Sequence, residues 1–372
     1  MMIGLVFVIM ILWTLTFILL DVSIKSSLQS SISNEDVHSD EVEVVAAFRN
    51  EEKNLPALLE SLNALKFKGD SLKVTLINDH SDDDSVEVVN QLQHAYDRLK
   101  IQLLQSEGHG KKQALKHGLA MSKARWVVLT DADCSLPDSY LGEMIGQLKT
   151  EDKGVGFGPV SFSGHTLWQR LLEYDNLNTQ IVSEAFLRLG KPLMVNGANM
   201  VLEGRMLPDY LKSLENDFVS GDDVFFAQSL GRQQFSFAYS GKTAVKSQSA
   251  STFSELFHQR VRWASKSAGY AAWWSRFVAA FFFALSLTFS LIYVSPLFGW
   301  LPWNWVVLTF LLKVVIESHF HSRWFVKYGY TPKWYMPLLM SAIHPFYMSL
   351  IGVVSLLPLK FKWKGRVMSA KI

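Results

Sequence analysis

Cysteine is nearly absent: Cys134 stands alone in 372 residues, which excludes an intrachain disulfide framework and a cysteine-based zinc site. Charge is scarce as well, at 19% of residues against a soluble norm of about 25%. What charge there is nearly cancels, 36 Lys and Arg against 34 Asp and Glu giving a net +2. The chain therefore lacks the cationic excess of a protein that binds nucleic acid by neutralising phosphates. It shows no internal repeat and no low-complexity tract. Hydrophobic residues make up 49% and the mean hydropathy is +0.13, which excludes a wholly soluble, disordered or fibrous protein. The length predicts two to three domains.

Three stretches carry no Asp, Glu, Lys or Arg: residues 1–20, 277–312 and 335–359. Each is long enough to cross a bilayer. The first lacks the basic n-region and the small-x-small cleavage site of a secretory signal, so residues 1–20 are expected to be an uncleaved transmembrane anchor, followed by a Ser- and Asp-rich linker at 21–40. The second is interrupted at Pro296-Leu-Phe-Gly-Trp-Leu-Pro302, which predicts a helical hairpin over 277–320, with helices at about 277–294 and 303–320. Residues 321–372 are expected to hold a last membrane segment at 335–359 and a basic tail. His344-Pro345 interrupts that segment, and basic residues flank it on both sides. The expectation is a re-entrant or interfacial segment, broken at Pro345, that returns the tail to the cytoplasmic face, the alternative being a plain spanning helix with the basic tail outside.

Between these stretches, residues 41–250 alternate short β-branched runs with helical patterns. Strands are predicted at 43–48, 73–77, 101–104 and 126–129, in the rhythm of parallel βαβ units. Polar loops follow these strands, where open α/β sheets bind ligands. Arg49-Asn-Glu-Glu follows the first and Asn78-Asp-His-Ser-Asp-Asp the second, while Gly108-His-Gly-Lys-Lys precedes a helix. Any one of these also reads as an ordinary helix start. After the fourth strand, Asp131 and Asp133 are one residue apart in an extended segment, where both can meet one hard divalent cation. Farther on, Asp222 and Asp223 precede an apolar helix start. Gln259, Arg262 and Trp263 stand at i, i+3 and i+4, one face of an interfacial helix expected over 251–276.

Taken in order, Arg49-Asn-Glu-Glu, Asn78-Asp-His-Ser-Asp-Asp, Gly110-Lys-Lys-Gln-Ala-Leu, Asp131-Ala-Asp133, Gly221-Asp-Asp223 and Gln259-Arg-Val-Arg-Trp263 resemble the signature series of family 2 glycosyltransferases. The likeness is to the membrane-embedded branch, which includes cellulose, hyaluronan and poly-N-acetylglucosamine synthases and ceramide glucosyltransferase. It implies a GT-A (Rossmann-like) α/β catalytic domain flanked by transmembrane and interfacial helices. It further implies an inverting, metal-dependent transferase that moves a hexosyl or N-acetylhexosaminyl group from a nucleotide-sugar donor, expected to be UDP-linked, to a lipid or membrane-associated glycan. In that reading Glu51, Asp79, Lys111, Asp131, Gln259, Arg262 and Trp263 bind donor or acceptor, with Asp79 on the uracil ring. Asp133, supported by Asp131, holds Mn²⁺ or Mg²⁺, and Asp223 is the general base.

Two departures from the pattern stand out. The usual Glu-Asp of the base motif is Asp222-Asp223, which leaves Asp222 as the alternative base, and the first strand lacks the Pro often found before Asn-Glu-Glu. The resemblance also admits a processive β-polysaccharide synthase, which would need a partner subunit to complete an export channel. Nucleotidyl transfer, which also uses paired acids, is a more distant alternative. The expected location is the cell (inner or plasma) membrane, multi-pass, with the catalytic domain in the cytoplasm and no nucleic-acid partner.

Overall fold

The computed structural model describes residues 2–25, 37–164, 166–215, 221–238, 242–265, 272–331, 333–357, 360–363 and 366–369. These divide into two compact units. One comprises residues 29–164 and 190–249, the other residues 1–28, 165–189 and 250–372.

The first unit is a mixed α/β fold. Strands β1 (Val42–Phe48), β2 (Leu72–Asn78), β3 (Leu99–Gln105) and β4 (Trp126–Leu129) are joined through helices α1 (Leu55–Asn63), α2 (Ser85–Leu92) and α3 (Lys111–Ala120). They lie within two residues of the predicted runs and pair in parallel, in the order β3-β2-β1-β4. β1 is buried on both faces, as an inner parallel strand must be. Leu55, Leu58, Leu59 and Leu62 of α1 fall at helical spacing and are fully buried under it. Each contributes roughly 1.5–3 kcal/mol by leaving water. Pro56 in the first turn of α1 lacks only a hydrogen bond that this position cannot make anyway.

Beyond β4 the all-parallel rhythm does not continue. Of β6 (Val155–Phe157), β8 (Met200–Glu203) and β9 (Phe235–Phe237), β8 runs antiparallel to both β4 and β6, completing a seven-stranded sheet in the order β3-β2-β1-β4-β8-β6-β9. A second, three-stranded sheet joins β5 (Cys134–Ser135), β10 (Val245–Gln248) and β7 (Val160–Ser163). Helices α4 (Tyr140–Glu151), α6 (Leu207–Ser213) and α7 (Asp222–Ser229) belong to this unit.

Residues 165–189, expected inside the α/β domain, belong to the other unit. They form helix α5 (Leu167–Arg188), whose Thr166 and Gln169 make a reciprocal N-terminal cap. Its buried acids explain the departure. Asp175 meets Arg260 at 2.5 Å and His344 at 3.2 Å, while Glu184 meets Arg188, Lys327 and the Tyr328 hydroxyl. A buried carboxylate is tolerated where its cationic partners are. Every one of these partners lies in the same unit.

The remaining helices of that unit, numbered as they occur, are α8 (Phe253–Ser265), α9 (Trp273–Val294), α10 (Trp303–Trp324) and α11 (Met336–Ser355), with a long N-terminal helix over Met2–Lys25. Three helical stretches, Met2–Lys25, Trp273–Phe298 and Met336–Val354, are long and apolar enough to cross a membrane. α9 and α10 are joined by a short 3-10 turn at Ser295–Phe298, closed by Gly299 at φ +69°, but they do not pack along each other as the expected hairpin would: α9 packs chiefly on α11, and α10 on the N-terminal helix and α11. Exposed Leu297, Phe298, Trp300 and Trp303 surround that turn, as aromatic side chains do at a membrane boundary. α10 also carries Lys313 and Glu317, which pair with each other in the interior, and Ser341 donates to Glu317.

The expected break at Pro345 is absent, since α11 runs through it. Proline deprives the carbonyl four residues earlier of its donor. That carbonyl belongs to Ser341, and it accepts from the Tyr293 hydroxyl of α9 at 3.2 Å. Beyond α11, strands β11 (Lys360–Trp363) and β12 (Arg366–Ser369) pair antiparallel, and β11 lies against α8.

Candidate active site

β1, β2 and β4 are neighbours and parallel, so the loops at their carboxyl ends emerge together. The first two are tied to each other. The Asp79 amide donates to Phe48 O at 2.8 Å, and Arg49 Nη1 donates to Asp79 O at 3.0 Å. Asn50 and Asp82 exchange hydrogen bonds at 2.5 and 3.0 Å. Glu51 is buried, its amide on Ser85 Oγ at 2.7 Å and its carboxylate receiving Asn54 Nδ2 at 2.6 Å.

Asp79 is 2% exposed. Its Oδ1 accepts the Gly110 amide at 2.8 Å, which draws in the turn ahead of α3. Gly110 has φ +97°, open to glycine at no steric cost, and this brings Lys111 in as the first residue of α3. Lys111 Nζ reaches Asp131 Oδ1 at 2.5 Å. Burial works against its ammonium, but the carboxylates of Asp131, Asp222 and Asp223 more than reverse that and hold its pKa well above the ordinary lysine range. Loops distant in the chain, at Asp131 and at Asp222–Asp223, thus converge on one cation.

Asp133 Oδ2 accepts from Ser247 Oγ at 3.3 Å, and its Oδ1 lies 3.7 Å from the Cys134 thiol. Neither donor carries charge. Asp131 and Asp133 together offer hard carboxylate oxygens, a set that suits Mg²⁺ or Mn²⁺. Burial pushes the Cys134 thiol up, and Asp133 and Asp131 push it further, so the lone cysteine is no thiolate nucleophile.

Gly221, at φ +103°, turns the chain into α7, whose first residues are Asp222 and Asp223, both buried. The two acids differ in their partners. Asp222 Oδ2 accepts the hydroxyl of fully buried Tyr210 at 3.1 Å, whereas Asp223 accepts the amides of Gly197 at 3.1 Å and Val224 at 2.8 Å. Burial, then Asp222 and Asp223, push the Tyr210 hydroxyl far above the usual tyrosine range, so it stays a donor.

Gln259, Arg262 and Trp263 lie half-buried on α8 in the other unit. There Arg260, between them in sequence, stands over the Trp263 ring at 4.5 Å while paired with Asp175. The structure therefore gathers Asp79, Lys111, Asp131, Asp133, Asp222 and Asp223 in one unit and the Gln259–Trp263 set in the other. Tyr210, Gly197, Ser247 and Asp175 were not anticipated. Each is a lone residue with no motif around it, and only the partner it meets gives it meaning.

The model of the glycosyltransferase-like family 2 matches residues 41–266. Among curated proteins, the chain is 22% identical over 224 residues to the glycosyltransferase AglE of Haloferax volcanii, covering 59% of this chain and 71% of that protein. It is 24% identical over 238 residues to a beta-monoglucosyldiacylglycerol synthase of Synechocystis, covering 59% of this chain and 46% of that one. Among solved structures, the mannosyltransferase PcManGT of Pyrobaculum calidifontis, in complex with GDP-Man and Mn²⁺, aligns over 95% of this chain and 96% of its own. The TM-score is 0.57 at 14% identity, a likeness of fold.

Proposed function

Because the chain belongs to the family 2 glycosyltransferases, whose model matches residues 41–266, we propose that it transfers a sugar, with inversion, from a nucleoside-diphosphate sugar to a lipid or membrane-associated glycan. The observation that carries this reading is the cluster around Lys111. Carboxylates from the β4 loop and from the start of α7 surround one ammonium beside the Asp79 loop. Such a site meets both demands of glycosyl transfer, stabilisation of a leaving diphosphate and removal of a proton from the acceptor.

Asp223 takes the acceptor hydroxyl proton. The acceptor oxygen bonds to the anomeric carbon as the bond to the diphosphate breaks on the opposite side, which inverts the configuration and releases the nucleoside diphosphate. Asp222 is engaged by Tyr210, whereas Asp223 is held by two backbone amides that fix its orientation. This supports Asp223 over its neighbour. Asp79 accepts from the base, Lys111 faces the diphosphate, and Glu51 shapes the first loop. Asp133 and Asp131 would hold Mg²⁺ or Mn²⁺, which when bound supplies positive charge to the diphosphate. Gln259, Arg262 and Trp263 serve the diphosphate and acceptor from α8.

A lipid acceptor is supported by the helices apolar enough to span a bilayer and by the glycolipid synthase among the relatives. The same helices support a multi-pass protein of the cell membrane, and its catalytic unit would work on the cytoplasmic side, where nucleotide sugars are made. The test is mass spectrometry of products after membranes containing the protein are incubated with a panel of UDP- and GDP-sugars. One donor is expected to yield a glycosylated lipid or glycan that Asp223→Asn membranes do not make. Hydrolysis of donors with no acceptor product from any of them would reject the reading.

A further inference from the structure

His80 and His109 have no part in the transfer chemistry, yet they stand together. His80 follows Asp79 at the end of β2, and His109 precedes Gly110 in the turn before α3. Their ring centroids are 4.3 Å apart, with the planes at 42°. One carboxylate oxygen of Asp79 and one ring nitrogen from each histidine all lie within 4.8 Å of one another. Stacking of two imidazoles accounts for the ring distance, but it leaves a second fact unexplained. Nε2 of His80 is buried and has no hydrogen-bond partner among the described residues. Leaving such a group unpaired is destabilising. His80 also holds φ at +56°, a left-handed conformation that is uncommon for a residue with a Cβ. A strained backbone and an orphaned ring nitrogen occur in one residue, against a carboxylate and a second imidazole.

We propose that Asp79, His80 and His109 form a site for a borderline transition ion of the zinc class, sharing no residue with the Asp131–Asp133 pair. Two imidazoles and one carboxylate favour Zn²⁺, Co²⁺ or Ni²⁺ over the hard ions Mg²⁺ and Ca²⁺, and three protein ligands leave a fourth position for water. The ligand atoms must close in by roughly 1 Å to reach bonds of about 2.0–2.2 Å. His109, on an exposed turn, can supply that movement. Coordination through Nε2 of His80 puts the remaining proton on Nδ1. Gln105 places its carboxamide nitrogen 3.1 Å from Nδ1 and its oxygen on Asn78 Nδ2 at 2.8 Å, so metal binding has to turn this amide over, exchanging the Asn78 bond for one from the Nδ1 proton, the kind of outer contact that orients metal-binding histidines. Because Asp79 cannot serve a metal and a nucleobase at once, zinc would exclude the donor. That consequence rests on the proposed function, whereas the metal site does not.

The test titrates ZnCl₂ into the full-length protein in detergent by calorimetry, with excess Mg²⁺ present to occupy hard-oxygen sites. Saturable binding of one Zn²⁺ per chain is expected. His80→Asn and His109→Gln should each weaken it at least about tenfold, while Asp133→Ala leaves it unchanged. Asn is chosen at position 80 because it tolerates positive φ. Visible absorption of the Co²⁺ form should lose its intensity in the same two variants. No saturable zinc binding, or parental affinity in both histidine variants, overturns the site. The titration is then repeated with UDP or GDP. If zinc binds through the histidines but neither nucleotide competes, the assignment of Asp79 to the nucleobase fails while the metal site stands.

Discussion

At the scale of single residues, the chemistry turns on two adjacent acids with different partners. Asp222 receives a buried tyrosine hydroxyl and Asp223 two backbone amides. Asp223→Asn should therefore lower kcat by at least about 10²-fold, the scale of a lost general base, while calorimetry shows the nucleotide sugar still binding. Asp222→Asn should cost far less turnover. The reverse ranking moves the base by one position. Lys111 gives a second test through linkage. Its pKa is raised in the folded state, so the stability it contributes is complete below the ordinary lysine value of about 10.4 and is lost only as pH climbs through the higher folded value. The thermal midpoints of the parent and Lys111→Met should differ by the same amount at about pH 6 and pH 9, with the gap narrowing only in stronger alkali. A gap that closed between neutrality and pH 9 would mean that Lys111 is not held up by its acidic neighbours.

At the scale of elements, two local devices carry predictions. Gly221 starts α7 at φ +103°, where an L side chain is strained. Gly221→Ala should destabilise the protein by more than about 1 kcal/mol and disturb Asp223, visible as a lowered denaturation midpoint together with lowered kcat. The second device is the bond between Tyr293 and Ser341 that lets α11 run through Pro345. Tyr293→Phe should cost about 1–2 kcal/mol by stranding the Ser341 carbonyl. In a Pro345→Ala background the restored helical amide satisfies that carbonyl, and the same substitution should cost much less. A double-mutant cycle of melting midpoints in detergent measures the difference. Equal costs in both backgrounds would mean that the hydroxyl does not replace the missing donor.

At the scale of the whole molecule, the basic tail belongs with α8, because β11 lies against that helix. If α8 serves a cytoplasmic active site, the tail is cytoplasmic too, in keeping with the positive-inside bias. A cysteine placed at Ser369 in a Cys134→Ser background should react with a membrane-impermeant thiol reagent only after the cells are permeabilised. Labelling of intact cells would place the tail, and α8 with it, outside.

The sequence by itself determined the local and the periodic. Charge-free stretches marked the helices able to enter a bilayer, because hydrocarbon excludes unpaired charge whatever the fold around it. β-branched runs marked the first four strands, because an inner parallel strand is apolar on both faces. The ordered polar motifs then marked Asp79, Lys111, Asp131, Asp133 and Asp223 as residues to examine together. Only the tertiary structure decided what depends on distant partners. The antiparallel return of β8 is set by its pairing with β4 and β6, which its four residues do not announce. The departure of residues 165–189 from the α/β unit follows from Arg260, Lys327 and His344 meeting its buried acids. The unbroken course of α11 depends on a tyrosine in another helix. A helix interrupted by proline keeps its course when a neighbour supplies the missing donor, and no pattern within the helix records that neighbour.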